Sequence, residues 1–310
     1  MVSVAKVNMA VDLGGIKMQN PINTASGTYG FGREFEGFYD VSRLGAITCK
    51  GCSAEPWDGN PAPRMCEVTS GIINTVGLQN PGIRAMVEQD GDYLAGLAGR
   101  GCAVIAQVAG HSLEEYVRAV ELYEEVAPWA AGLELNISCP NIAAGGAAMG
   151  GTPEGAASVV KAVRDRTARP LVVKMAPARV PEIARALEDA GADALSLINT
   201  IPAMSIDVRT RRSRLSRPTA GLSGPAIHPI AVRMVWEAHN ACKLPLCGIG
   251  GVRTGADAAE FILAGATAVS VGTANLTDPT SAVRIPDELT QWASDQGVSD
   301  INELIGAFEC

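Results

Sequence analysis

Aromatic residues make up only 5% of this 310-residue chain, against 47% hydrophobic residues and 34 glycines. Few bulky rings and many small side chains suit an α/β fold, in which helices lie close against strands. Basic residues are also short: 25 Lys and Arg against 33 Asp and Glu leave a formal charge of −8. That balance argues against a general nucleic-acid binder and against docking on an anionic membrane. No stretch approaches the roughly 18 uninterrupted apolar residues of a membrane span, and Met1 to Asn8 lack the apolar core of a signal peptide. A cytoplasmic location is therefore expected. The eight cysteines (Cys49, Cys52, Cys66, Cys102, Cys139, Cys242, Cys247 and Cys310) are scattered rather than framed as in a small secreted scaffold, which predicts reduced thiols. Cys49 and Cys52 match C-x-x-C, but no second cysteine pair or histidine pair completes a metal site.

What is present is a recurring unit. Apolar runs of strand length alternate with helix-like segments: Ile22–Gly27, Ala46–Gly51, Val104–Ala109, Leu133–Ser138, Leu171–Met175, Ala194–Thr200, Leu244–Gly251 and Ala268–Thr273. Helices are expected at Glu34–Leu44, Ser112–Val126 (Ser112 and Glu115 forming a capping box), Thr152–Ala168 with Pro153 at the first position, Val180–Ala190, Pro225–Asn240 and Thr254–Ala264. Ser53–Gly82, rich in Pro, Gly and Asn, is expected to be a long functional loop. Eight strand–helix units without an internal boundary predict a (β/α)8 TIM barrel with long loops at the C-terminal face of the strands, one domain spanning residues 1–310.

The active site of such a barrel lies at the C-terminal strand ends. The residues expected there are Ser26, Lys50, Gln107, Asn136, Lys174, Asn199 with Thr200, Gly250-Gly251 and Gly272-Thr273. Two lysines ending otherwise apolar strands point to an anionic or electron-accepting ligand. The glycine turns after strands seven and eight let backbone N–H groups reach a phosphate, so a phosphorylated cofactor is favoured, with Lys174 placed to stabilise charge on a reduced flavin. After strand four comes Asn136-Ile137-Ser138-Cys139-Pro140-Asn141. A loop cysteine between two asparagines can take a proton from carbon or attack an electrophile while the amides hold a planar polar ligand. A small buried apolar role for Cys139 fits the same local pattern. The glycine-rich stretch Ala143–Gly151 is a candidate lid.

Asn74-Thr75-Val76-Gly77-Leu78-Gln79-Asn80-Pro81-Gly82, Asn136–Asn141, Ile198-Asn199-Thr200, Gly221-Leu222-Ser223-Gly224-Pro225 and the closing Gly-Gly and Gly-Thr turns together resemble the dihydroorotate dehydrogenase family, in family order over about Val11 to Thr273. Gly77–Gly82 and the Gly145–Gly150 loop resemble its class 1B, the catalytic subunit that works with an iron–sulfur/FAD partner. The resemblance implies FMN held by Ala25, Ser26, Lys50, Gly51, Gln107, Asn136, Lys174, Ile198, Gly224, Gly250, Gly251, Gly272 and Thr273. It implies dihydroorotate or orotate held by Lys50, Asn74, the backbone of Val76, Gly77 and Leu78, and by Asn136, Asn199 and Thr200. Cys139 would then be the base at C5 while hydride passes from C6 to flavin N5. FAD and a 2Fe–2S cluster are expected only in the partner subunit, with NAD+ as final acceptor, around a homodimer core.

The chain departs from the family pattern at Gln107, where asparagine is usual, at Met149, where phenylalanine is common, and at His228, where lysine is common. His228, on a helix, is given no catalytic role, and His111 and His239 read as surface or helix-packing residues. The five arginines of Asp207–Arg217 read first as a solvated excursion and second as a partner surface. Two other flavoprotein activities carry similar motifs. A dihydrouridine synthase would need a basic RNA-binding domain, whereas the residues after Thr273 are acidic. Reduction of uracil or thymine, as by dihydropyrimidine dehydrogenase, stays the alternative: Lys50 favours a carboxylate-bearing substrate, but one lysine does not decide between them. A barrel without catalysis is disfavoured by Lys50, Asn74, Cys139 and Asn199 together.

Overall fold

The computed structural model describes residues 7–138 and 149–309. Cys139, Pro140, Asn141 and the glycine-rich stretch up to Ala148 lie outside the described residues, and with them most of the expected lid.

Eight short strands form the centre: β1 (Ile22–Thr24), β2 (Ala46–Thr48), β3 (Ala103–Val108), β4 (Gly132–Asn136), β5 (Leu171–Lys174), β6 (Ala194–Leu197), β7 (Leu246–Ile249) and β8 (Ala268–Val271). They are hydrogen-bonded in the order β1-β8-β7-β6-β5-β4-β3-β2, every pairing parallel. The two ends of that order meet through a different set of contacts. The Gly45 N–H donates to Ile22 O at 3.0 Å, Asn23 Nδ2 donates to Thr48 Oγ1 at 2.8 Å, and the Thr48 N–H donates to Thr24 Oγ1 at 3.2 Å. Polar side chains thus bridge the β1–β2 seam where a backbone ladder is missing, and the sheet closes as a (β/α)8 barrel.

The strands are buried on both faces because helices cover the outside, so apolar residues such as Leu133 and Leu135 alternate with inward residues. The helices are α1 (Ile83–Gly99), α2 (Leu113–Val126), α3 (Pro153–Arg164), α4 (Val180–Asp189), α5 (His228–His239), α6 (Gly255–Leu263), α7 (Ala274–Thr277) and α8 (Ser281–Asp295). Local sequence explains their starts. Ser112 Oγ accepts the Glu115 N–H at 3.2 Å, and the Glu115 carboxylate accepts the N–H of His111, one residue earlier than a full capping box requires. Thr152 accepts the Gly155 N–H ahead of Pro153, and Thr254 with Asp257 forms a complete capping box. Among the described residues, no helix is long and apolar enough to cross a membrane.

Five segments differ from, or were absent from, the sequence expectation. Glu34–Leu44 is not one helix but two 3-10 turns, Arg33–Phe35 and Val41–Arg43, because Asp40 caps Ser42 locally and offers the backbone an alternative. Helices α1 and α8 carry weak patterns of their own: α1 contains Gly91, Gly96 and Gly99, and α8 contains Pro286. Ser53–Gly82 is not wholly irregular, since Met65–Val68 and Gly71–Asn74 pair antiparallel and join Ala220–Ser223 and Ile201–Ala203 in a four-stranded sheet. The arginine-rich segment forms a small hairpin, Ile206–Asp207 with Arg212–Ser213, and is tied down through Arg214 to Glu67 O and Arg217 to Asn60 Oδ1, both at 3.0 Å.

Candidate active site

Parallel strands bring all their C-terminal ends to one mouth, and register sets which residues meet there. Asn136 on β4 lies opposite Lys174 on β5, and Lys174 lies opposite Ser196 on β6. A continuous hydrogen-bonded chain runs around this rim. Ser26 Oγ donates to Gln107 Oε1 at 2.6 Å and accepts the Gly51 N–H at 3.1 Å. Asn136 Nδ2 reaches the same Gln107 oxygen at 3.5 Å, the outer limit of such a bond. Ser138 Oγ donates to Asn136 Oδ1 at 2.8 Å, Asn199 Nδ2 donates to Ser138 Oγ at 2.6 Å, and the Thr200 N–H donates to Asn199 Oδ1 at 2.9 Å. Tyr116 on α2 fixes the strand end from behind, its hydroxyl donating to Asn136 O at 2.6 Å. Six of the expected site residues, Ser26, Gly51, Gln107, Asn136, Asn199 and Thr200, are therefore one connected unit. Ser138, which joins two of them, was not among those expected.

Beneath this rim is a second residue that sequence reasoning passed over. Glu134, 3% exposed, stands two residues before Asn136 and so on the same face of β4. Its carboxylate accepts Gln107 Nε2 at 2.5 Å and Ser196 Oγ at 2.7 Å. The signal was a charged residue inside an apolar strand, spaced by two from a site asparagine. Lys174 is buried beside it. Burial pushes the Lys174 ammonium below its ordinary range, and the Glu134 charge works against that shift.

The glycine turns meet on the far side of the mouth. A Cβ on Gly251 would lie 2.8 Å from Gly224 O and from His228 Cβ, and one on Gly224 would lie 3.4 Å from Thr273 Cγ2. The Gly251 and Gly224 turns thus pack too closely for a side chain on Gly251, and the Thr273 turn lies in contact with Gly224. Thr273 Oγ1 donates to Ser223 Oγ at 2.8 Å, and His228 Nδ1 lies 2.8 Å from Gly250 O, bracing the turn from the start of α5. Among the described residues, the N–H groups of Gly224, Gly251 and Thr273 have no hydrogen-bond partner. Unspent backbone donors in neighbouring turns suit a phosphate. The α6 N-terminus, by contrast, is already occupied by its own chain: the N–H groups of Arg253 and Thr254 go to Asp257 and that of Gly255 goes to Glu288. The turns, rather than the capped helix, are therefore the candidate place for an anion.

Asn74 ends a strand of the antiparallel sheet and reaches Gly221 O at 3.5 Å, while a Cβ on Gly221 would overlap the Thr200 side chain. Gly221 thereby brings Asn74 and Thr200 to one place. Val76, Gly77 and Leu78 lie on the following loop, with Leu78 in the left-handed region at φ 58°. Their described contacts run to Asn60, whose N–H donates to Val76 O, and to Asn80, whose Nδ2 donates to Leu78 O, rather than to the rim chain. Lys50, half-buried, follows β2 with its N–H on Gly30 O at 2.8 Å, and Ala25 and Ile198 are buried with their N–H groups on Val271 O and Ile249 O. Gly272 faces Ala25, where an added Cβ would make a 3.4 Å contact. Burial pushes the Cys52 thiol up to about 12 and that of Cys49 up as well, so neither is a ready nucleophile.

The family model for dihydroorotate dehydrogenase matches residues 8–292. Relatives named dihydroorotate dehydrogenase B (NAD(+)), catalytic subunit, include one from Geobacter sulfurreducens, 49% identical over 306 residues that cover 98% of this chain and 99% of the relative. Another, from Desulforudis audaxviator, is 49% identical over 304 residues, covering 97% and 98%. Among solved structures, the crystal structure of DHODH in complex with ferulenol from Eimeria tenella superposes with a TM-score of 0.81 at 21% identity, covering 99% of this chain and 90% of that one, which bears on the fold. With its barrel, its strand-end residues and relatives matching over nearly their whole length, this chain belongs to the dihydroorotate dehydrogenase family.

Proposed function

We propose that this chain, acting as one domain, is the catalytic subunit of an NAD+-linked dihydroorotate dehydrogenase, oxidising (S)-dihydroorotate to orotate in pyrimidine biosynthesis with FMN at the barrel mouth. The observation that carries the reading is the rim chain from Ser26 to Thr200 beside a cradle of three unspent backbone N–H groups. The cradle fits the FMN phosphate, and Ala25, Ser26, Lys50, Gly51, Gln107, Asn136, Lys174, Ile198, Gly250 and Gly272 would hold the rest of the group. Bound there, FMN supplies the acceptor for the hydride that leaves C6 of the substrate.

The remaining work falls to the chain's own residues. Asn74, Asn136, Asn199 and Thr200 present amide and hydroxyl groups that match the ring N–H and C=O groups of a pyrimidine, with the backbone of Val76 to Leu78 at one edge. Lys50 offers a cation to the substrate carboxylate. Cys139 directly follows Ser138, whose hydroxyl is held between Asn136 and Asn199, and takes the C5 proton as general base. A partner subunit carrying FAD and a 2Fe–2S cluster would receive the electrons, around a homodimer core.

Anaerobic titration of the FMN-loaded protein with dihydroorotate tests this. Bleaching of the flavin absorbance at near-stoichiometric substrate is expected, and Cys139→Ala should keep FMN yet lose most of the reduction rate. A flavin that stays oxidised would defeat the substrate assignment, and an unchanged rate in the variant would remove Cys139 from the mechanism.

A further inference from the structure

The carboxylate of Glu134 is the deepest charged group of the site, and the function proposed above gives it no role. A buried carboxylate is strongly unfavourable unless each oxygen is met. Here one oxygen accepts Gln107 Nε2 and the other accepts Ser196 Oγ. The first of these bonds has a consequence further up the barrel. An amide has a donor end and an acceptor end, so a carboxylate on Gln107 Nε2 forces Gln107 Oε1 to face the rim. There it accepts from Ser26 and Asn136, which leaves Ser26 Oγ to accept the Gly51 N–H and Asn136 Oδ1 to accept Ser138. The donor and acceptor directions of the rim thus follow from the charge below it.

The second consequence concerns Lys174. The titratable groups acting on it are Glu134 from β4 and the Cys247 thiol from β7, while Ser196 on β6 and Gln107 on β3 are uncharged. Burial pushes the Cys247 thiol up to about 12, so it stays neutral. Among the described residues, Glu134 is therefore the acid whose charge favours the ammonium of buried Lys174, without a direct ion pair between them.

We infer that Glu134 is a positioning residue of the cofactor site: its carboxylate orients Gln107 and Ser196, the strand partner of Lys174, and sets a negative charge beneath the barrel mouth. The inference rests on the FMN reading and goes beyond it, since the residue governs how firmly reduced flavin is held and not whether substrate binds. A cation near the ring favours the reduced, more negative form.

The test is the reduction potential of bound FMN against pH, from about pH 6 to about pH 9, in the wild-type holoenzyme and in Glu134→Gln. Without that charge only burial acts on Lys174, so its ammonium gives up its proton at a lower pH than in wild type. The preference for reduced over oxidised FMN should then fall by about tenfold or more relative to wild type as pH rises, which corresponds to one pKa unit of lysine. Glu134→Asp, which keeps the charge, should keep the wild-type pH line even if it binds FMN more weakly. It decides the matter should Glu134→Gln fail to fold, since an Asp variant with a new break in the line refutes the inference. In a Lys174→Met background Glu134→Gln should add no pH dependence, and an undiminished effect there also refutes it. A wild-type protein that takes up no FMN overturns the cofactor reading and this inference with it. A wild type that binds FMN, with Glu134→Gln on the same pH line, overturns this inference alone.

Discussion

Gly251 offers a quantitative test of the anion cradle, because its two consequences can be separated by a matched control. Its φ is 72°, in the left-handed region, and an added Cβ would stand 2.8 Å from Gly224 O and from His228 Cβ. Gly297, after α8, has φ 76° with nothing within 4 Å of the same imagined atom. Gly297→Ala therefore carries the left-handed strain alone, about 1–2 kcal/mol. Gly251→Ala carries the same strain, and in addition the Gly224 carbonyl or the turn itself must give way. Both changes should lower Tm, Gly251→Ala by more. Only Gly251→Ala should disturb the unspent N–H of the Gly251 turn, which packs against Gly224. A hydrogen bond to a charged group contributes about 1.5–3 kcal/mol, so displacing one should weaken FMN binding by roughly ten- to a hundredfold. Fluorescence titration of apoprotein with FMN reads the affinity, and thermal unfolding of the same samples reads the strain. An FMN affinity unchanged in Gly251→Ala, with Tm lowered, would show that the phosphate is held elsewhere.

Two other residues separate cradle from scaffold. His228→Ala removes the ring nitrogen that lies 2.8 Å from Gly250 O, and should weaken FMN binding several-fold with little loss of Tm; unchanged affinity would reduce His228 to packing. At the opposite, N-terminal end of the barrel, Arg164 donates to Asp193 Oδ2 at 2.8 Å and to the carbonyls of Gly191, Thr167 and Arg169. Arg164→Met should lower unfolding stability by about 1–3 kcal/mol, discounted for its partial exposure, while FMN affinity and the bleaching rate stay as they are. A change in FMN affinity in that variant would contradict the division between a stability face and a chemical face.

How far the sequence was legible follows from the range of the interactions involved. The eight strands could be read because each is a local apolar run between breakers, and Thr152, Thr254 and Ser112 mark helix starts through contacts within three residues. The antiparallel sheet could not, because Asn74 pairs with Gly221, 147 residues away, and no local pattern encodes that distance. The Glu34–Leu44 segment failed for the opposite reason: a two-residue contact from Asp40 to Ser42 outweighs a modest helical pattern. That the candidate residues would meet at the strand ends was legible from topology alone. Glu134 was not, since its importance comes from Gln107 and Ser196 on other strands, and Ser138 matters only because Asn136 and Asn199 close on it.

The same inward face that carries the site also closes the barrel, and that shared use explains its composition. Asn23 and Thr48 bridge the β1–β2 seam, and Gln107, Glu134 and Ser196 continue a polar layer across β3, β4 and β6. An unmet buried polar group costs about 1–3 kcal/mol, so such a layer is tolerable only when its members satisfy one another. Asn23 donates to Thr48, Thr24 accepts from the Thr48 N–H, and Cys247 lies 3.2 Å from Ser270 Oγ. The layer is consequently cooperative: truncating one member leaves its partner orphaned, and the cost appears at the strand end above it. An apolar floor of equal volume would hold the barrel shut as well, but would impose no donor or acceptor direction on Ser26, Gly51 and Asn136. The polar floor therefore makes a requirement of folding and a requirement of ligand orientation into a single constraint.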